Sequence, residues 1–443
     1  MEEIEFDFKD AEAVKDFMGE SSKKIRSIAN YALEYSGDIE GRKLRDNQVG
    51  KRENYTQGDK QVIAERLIIN WQKKIVKGSV SFLVGDAPKI TANDIDNENG
   101  IAILDTLKSN RFSNKIKKFA ESVMSTTMAV FIFSKNDEGD VKMRNHGRNE
   151  GNYYPQYDVY GDLIAFYWEF PVVDKKHIWI FTPTEIHKYV DEKYINSDSH
   201  DFGIIPVVFL EQYRPEWWDV KELIDRHEMM LSKLAGSNNY FAFPILKLMG
   251  GVVKDDDGKD VSLIDITKDG KNLLLGYAIQ NNQVIQADAE FVQRDANTDS
   301  IKLEVDLLKE YILNISQTAD LSFDNVKGIG ALSGKALLLM LQDSINKAKW
   351  KQGDYATVIS RILKVTKAGL GIVDEELTFD IEFKYAIPED IKEQIDMLYN
   401  ATGGKATMSQ ETAIQHNPLV TNPSEEIDKI AAQQSLAGET FNL

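Results

Sequence analysis

The segment Gly328-Ile-Gly-Ala-Leu-Ser-Gly-Lys335 holds the residue types that cradle phosphate. A phosphate-binding loop needs four residues between its first glycine and the Gly-Lys pair, then a hydroxyl side chain for magnesium. Here the interval is five residues from Gly328 and three from Gly330, and Ala336 stands where the hydroxyl belongs. The spacing therefore favours a glycine-rich loop that Ser333 caps into a following helix. Calcium loops fail in a similar way: around Gly258 and Gly100 the first ligand position falls on Val253 and Ile95, which offer no side-chain oxygen. The six histidines, His146, His177, His187, His200, His227 and His416, include no pair three or four residues apart, so no helical metal motif forms. His227 beside Glu228 reads as a solvated helix position. There is no Gly-x-Ser-x-Gly elbow, and the pairs Glu375-Glu376 and Glu425-Glu426 read as surface carboxylates. These residues make no catalytic set.

Tyr153, Tyr154, Tyr157, Tyr160, Phe166, Tyr167 and Trp168 have the chemistry of a base-stacking platform. Such a platform also needs cations, and the interleaved charges Asp158, Asp162 and Glu169 are acidic. A packed β core is the favoured reading.

Around these residues the patterning predicts mixed α+β architecture. Helical spacing runs through Ala13, Val14, Phe17, Ile25, Ile28, Ala32 and Leu33, and again from Gln61 to Phe82, with a polar loop over 37–60 between them. Residues 101–125 predict two short helices. A hairpin follows, with Ala129–Ser134 and Asp140–Asn145 flanking Lys135-Asn-Asp-Glu-Gly139. Further strands are predicted at Tyr153–Val159, Leu163–Val172, His177–Thr182, Ile186–Asp191 and within 204–210, making 102–212 a strand-rich unit. Helix resumes at Trp218–Leu234, with Leu223, Ile224, Met230, Leu231 and Leu234 as its apolar side. A small α/β insertion follows, with strands Ile245–Met249 and Leu273–Ala278 and a turn at Lys254–Gly258. Residues 296–317 carry the stripe Ile301, Val305, Leu308, Ile312 and Ile315. The longest helix is predicted at about 335–367, a strand at Phe379–Tyr385, and two or three short helices over 388–435.

The composition is that of a folded chain: 443 residues, 42% hydrophobic and 28% charged. With no cysteine, disulfides, zinc–thiolate sites, iron–sulfur clusters and cysteine nucleophiles are excluded. The acidic first ten residues do not read as a signal peptide, and no apolar run approaches the ~20 residues that span a bilayer. The expectation is a soluble chain used in the cytoplasm, with no membrane partner. Formal net charge is −18. Residues 374–443 hold 14 acidic and 4 basic side chains, which is −10 of that total. Tight grip on nucleic acid is built on a basic surplus, so any contact with DNA should be loose.

Three blocks, in this order and spacing, resemble the siphovirus-type portal proteins of tailed double-stranded-DNA phages over about residues 20–432. The first is Asn70-Trp-Gln-Lys-Lys-Ile-Val76 followed by Ser81-Phe-Leu-Val-Gly-Asp-Ala-Pro88. The second is Tyr157-Asp158, then His200 with Gly203-Ile-Ile-Pro-Val-Val208, then Asp219-Val-Lys-Glu-Leu-Ile-Asp225. The third is Ala331-Leu-Ser-Gly-Lys-Ala-Leu337, with Pro388-Glu-Asp390 and Met408-Ser-Gln-Glu-Thr412 behind it. Leu332 and Lys335 depart from the family's usual residues around Ser-Gly.

The resemblance implies a non-enzymatic, cofactor-free subunit of a dodecameric ring at one capsid vertex, made in the host cytoplasm and carried in the virion. It implies a wing (1–218 plus 335–373, the strand-rich unit inside it), stem helices (219–236 and 296–317), a clip (237–295), a tunnel loop (318–334) and a crown (374–443). Double-stranded DNA would pass through the ring, driven by a separate terminase. Partners would be the terminase large subunit, a head–tail adaptor, and the major capsid and scaffolding proteins. On this assignment Asp324, Asn325, Lys327, Gly328, Gly330, Ser333, Gly334 and Lys335 belong to the DNA-facing loop. Lys302 and Lys309 line the stem channel, or else pair with Glu304, Asp306 or Glu310 at helical spacing. Lys254, Asp255, Asp256 and Asp257 form the clip's contact tip, and Ile301, Val305, Leu308, Ile312 and Ile315 form the helix interface. Two other readings stay open: a nucleotide-using motor or transferase built on Gly328–Lys335, and a capsid or tail-adaptor component without a channel.

Overall fold

The computed structural model describes residues 7–22, 28–37, 49–57, 60–94, 96–241, 245–249, 252–254, 260–262, 264–266, 273–275, 277–280, 283–286, 288–292, 298–320, 334–385, 391–403, 406–417, 419–420 and 423–439. In chain order the first elements are α1 (Ala11–Ser22), α2 (Ile28–Ser36), β1 (Tyr55–Gln57), β2 (Lys60–Val62), α3 (Trp71–Val84), β3 (Lys89–Ala92), α4 (Glu98–Ser109) and α5 (Phe112–Thr126). Strands β4 (Met128–Lys135), β5 (Val141–Gly147), β6 (Asn152–Tyr157), β7 (Leu163–Val172), β8 (Lys175–Phe181), β9 (Glu185–Val190), β10 (Lys193–Ser199) and β11 (Val207–Glu211) follow, then α6 (Lys221–Phe241). Eight short strands come next: β12 (Ile245–Met249), β13 (Val252–Lys254), β14 (Asp260–Ser262), β15 (Ile264–Ile266), β16 (Leu273–Leu275), β17 (Tyr277–Gln280), β18 (Gln283–Gln286) and β19 (Asp288–Val292). The chain continues through α7 (Thr298–Ile315), α8 (Gly334–Gly369), β20 (Phe379–Glu382), α9 (Ile391–Thr402), α10 (Gln410–His416) and α11 (Pro423–Glu439).

Two compact units share these elements. The first contains residues 1–77, 118–318 and 362–373. Its centre is a five-stranded antiparallel sheet of order β10-β9-β8-β7-β6 beside a three-stranded sheet of order β11-β4-β5. Period-two alternation sends neighbouring residues to opposite faces. Tyr154, Ala165, Tyr167, Ile178, Ile180 and Tyr189 face Val14 and Met18 of α1. Tyr153, Phe166 and Phe181 face Met128, Val130 and Ile132 of β4. Strand β4 is covered on both sides, since Phe131 also stacks on Phe119 of α5 with centroids 4.5 Å apart. That explains its unbroken apolar run, the mark of a strand buried on two faces.

The aromatics of this region are therefore largely core, as expected. Tyr153, Tyr154, Phe166 and Tyr167 are buried, while Tyr157 and Tyr160 at the β6–β7 turn are exposed. Burial raises the Tyr153 and Tyr167 hydroxyl pKa values well above the ordinary phenol value.

The second unit contains residues 78–117, 319–361 and 374–443. Strand β20 pairs antiparallel with β3. Around that pair Asn93 donates to the Glu376 carbonyl, and Asn97 and Asn99 donate to the Asp374 carboxylate. Helix α8 is 36 residues long, about 54 Å at 1.5 Å per residue. Leu341, Ile345, Ala348, Tyr355, Ile359 and Ile362 of its expected stripe are buried, and the Leu338 side chain lies outside the description.

Four differences from the sequence reading have physical causes. The helix expected over 61–82 begins only at Trp71. Residues 63–70 run without regular structure because side chains bind their backbone: Asn54 accepts from the Ala64 N–H, Ser232 from Leu67 and Glu228 from Ile69. The region expected as loop contains the β1–β2 hairpin. Strand β10, Lys-Tyr-Ile-Asn-Ser-Asp-Ser, lacks an apolar alternation because it is a sheet edge, held by pairing with β9. The insertion expected as α/β shows only strands among its described residues, starting with β12 paired to β19.

Candidate functional site

Helices α6 and α7, the expected stem, pack on each other. Strand β12, which follows α6, pairs antiparallel with β19, which leads into α7, so the helices also run antiparallel. Arg226 of α6 places Nε 2.8 Å and Nη2 2.6 Å from Glu304 Oε1 of α7, a charge-assisted contact that fixes the register of the pair. Glu304 is thus taken by Arg226. Lys302 is exposed. Lys309 is half-buried and near enough to His227 to disfavour its protonated form. Of the interface stripe, Ile312 is fully buried, Ile301, Val305 and Leu308 are half-buried, and Ile315 is 51% exposed.

The opposite side of α6 is a buried polar seam that the sequence reading missed. Asp225, His227, Glu228 and Ser232 are all buried, whereas the expected apolar residues Leu223, Met230, Leu231 and Leu234 are only half-buried. His227 and Glu228 are therefore not solvated helix positions; this corrects the expectation. Trp71 donates its indole N–H to His227 Nδ1 at 3.3 Å, the Ile69 N–H donates to Glu228 Oε1 at 2.9 Å, and the Leu67 N–H donates to Ser232 Oγ at 2.9 Å. Ser232 in turn donates to the Glu228 carbonyl one turn back. Asn239 donates to Glu65 at 2.8 Å. The side chains of one helix thus hydrogen-bond an extended segment as a partner strand would, and leave its N–H groups satisfied. Because Nδ1 of His227 accepts, its proton sits on Nε2. Burial, with Lys309 second, lowers the His227 pKa. The signal available in the sequence was the set of polar residues at positions 225, 228 and 232, spaced three and four apart on one face.

The glycine loop is bracketed by structure on both sides. Before it, Ser316 donates to Thr318 Oγ1 at 2.9 Å, and the Ala319 N–H donates to Ser344 Oγ at 3.0 Å. After it, α8 opens at Gly334 with Lys335 as its second residue. Asp324, Asn325, Lys327, Gly328, Gly330 and the expected cap Ser333 lie outside the described residues, as do Asp255, Asp256 and Asp257 of the clip tip. Lys254 ends β13, which pairs with β14 through Lys254 and Asp260.

Among the described residues no group of His, Cys, Asp or Glu is arranged to hold a metal ion, and no helix is long and apolar enough to cross a membrane.

The pattern of known families agrees with the reading of the three sequence blocks. The family described as "Phage portal protein, SPP1 Gp6-like" matches residues 20–439. The chain belongs to this family of phage portal proteins. Its function is that of a portal at the capsid vertex, and the family is structural rather than enzymatic. No curated protein matches the sequence. Solved structures with a similar fold include a chain from the virion of a native gene transfer agent particle, 11% identical, covering 87% of this chain and 91% of that one with a TM-score of 0.44. A chain from the neck of the native particle, computed with C12 symmetry, is 10% identical over 79% and 88% of the two chains at a TM-score of 0.45. An HK97 family phage portal protein from Corynebacterium diphtheriae is 5% identical over 71% and 92%, with a TM-score of 0.32. These scores are low, and the family assignment rests on the match over residues 20–439.

Proposed function

We propose that copies of this chain close into a dodecameric ring in the virion and that double-stranded DNA enters and leaves the capsid through its centre. The observation that carries this reading is the family match spanning residues 20–439. The paired helices α6 and α7 support it, as elements suited to lateral packing around an axis. In this assignment 1–218 and α8 form the wing, α6 and α7 the stem, 237–295 the clip, 318–334 the tunnel loop and 374–443 the crown. The loop residues Asp324, Asn325, Lys327, Gly328, Gly330, Ser333, Gly334 and Lys335 face the DNA, with Lys302 below them. The clip tip, Lys254 to Asp257, meets the terminase large subunit during packaging and a head–tail adaptor afterwards. Capsid and scaffolding proteins seat the ring during assembly in the host cytoplasm. The overall charge of −18 suits a conduit: an acidic surface repels phosphate and does not trap moving DNA.

The test is removal of the gene from the parent phage and complementation from a plasmid. Heads that assemble without DNA, filled again on complementation, support the reading. Full heads in the absence of the protein would overturn it.

A further inference from the structure

Helix α7 carries a second apolar row that its contact with α6 does not use. Leu303, Leu307 and Tyr311 are 60%, 40% and 53% exposed. They lie four residues apart on one face, and the exposed acids Asp299, Asp306 and Glu310 flank them at helical spacing. An acidic face of this kind repels phosphate, so DNA is not its occupant. Helix α6 has an outward face of the complementary kind. Arg226 and Lys233 are exposed there, with Met229 and Met230 half-buried between them and one acid, Glu222, a turn before.

Both faces belong to one helix pair in one chain. The two faces differ, so contact between copies is head-to-tail, the type that closes into rings. In a ring every copy stands at the same height along the axis, and the Arg226–Glu304 contact sets that height within the antiparallel pair. At 1.5 Å per residue, Lys233 lies about 10 Å beyond Arg226, and Asp299 about 7.5 Å before Glu304, in the same direction along the stem. Met229 and Leu303 fall at one level by the same count.

We infer that the outward face of α6 in one copy packs on the outward face of α7 in the next, Met229 against Leu303 and Leu307, and Lys233 against Asp299. The inference rests on the ring reading above and deepens it by naming the stem contact. Met229 brings an unbranched, adaptable side chain to the apolar row, and the Lys233–Asp299 pair orients the contact at its rim.

The chain has no cysteine, so introduced cysteines report on this contact without background. Two doubly substituted chains, Met229→Cys with Leu303→Cys and Lys233→Cys with Asp299→Cys, are oxidised and run on denaturing gels, with each single substitution as a control. The expected result is a ladder of covalent dimers, trimers and larger species from at least one double variant, and none from the single variants. Dimers from a single variant would mean a like-to-like contact and overturn the inference. So would double variants that image as rings yet give no ladder. Wild-type protein that images without rings overturns the ring reading itself, and the contact with it.

Discussion

The indole N–H of Trp71 donates to Nδ1 of His227 across 3.3 Å, joining the first turn of α3 to the middle of α6 over 156 residues of sequence. The rings also meet edge to face, with centroids 5.7 Å apart. This contact accepts only the neutral imidazole, because protonation at Nδ1 removes the lone pair that Trp71 uses.

A pH dependence follows. Burial and Lys309 hold the His227 pKa below the ordinary imidazole value of 6.5, so the unfolded chain binds the proton more readily than the folded one. The stability held by the neutral ring is complete above about pH 6.5 and is lost as pH falls through the lower folded value. His187 and His200 are shifted the same way, mainly by burial. Urea midpoints should fall between pH 7.5 and 5, and His227→Gln should reduce that slope. An unchanged slope would show that His227 does not contribute.

Glu228 is fully buried and accepts the Ile69 N–H. Glu228→Ala removes the acceptor and strands a buried donor, which costs about 1–3 kcal/mol. Glu228→Gln keeps a carbonyl oxygen in place and should cost less. Chemical denaturation of both variants gives the comparison, and equal losses would contradict the hydrogen-bond account.

Ile312, fully buried in α7, should lose about 2–5 kcal/mol on truncation to alanine. Leu308→Asp places a charge in the half-buried seam between α6 and α7 and should leave monomers or aggregates in size-exclusion chromatography. An intact ring from Leu308→Asp would remove α7 from the assembly contact.

The regular parts of this fold were legible in the sequence because burial there is apolar. The hairpin β4–β5, strands β6 to β9 and the stripe of α8 all follow period two or 3.6. The polar seam was not legible. Helix α6 buries Asp225, His227, Glu228 and Ser232 against an extended backbone, and no hydrophobic period marks a helix whose partner is a row of N–H groups. The same contacts explain why the apolar pattern before Trp71 suggested helix: Ile63 and Leu67 fit the period but are exposed. The stripe named on α7 was right for Ile312 and wrong in emphasis for Ile315, since Leu303, Leu307 and Tyr311 form a second row that a single-period reading overlooks.

The glycine loop supplies the prediction closest to function. Ala319 and Ser344 tie down the chain on one side, and α8 starts at Gly334 on the other. Deleting residues 329–332, or Lys327→Glu, should leave ring assembly intact and reduce the DNA packaged or retained per procapsid. Normal DNA content in both variants would show that the loop does not face the DNA.

Electron-microscope images of the purified wild-type protein test the central claim most directly. A portal assignment predicts rings with a central hole, viewed end-on, with twelvefold symmetry or a neighbouring count. A uniform population of monomers or of solid particles, at concentrations where the protein is folded, would contradict it.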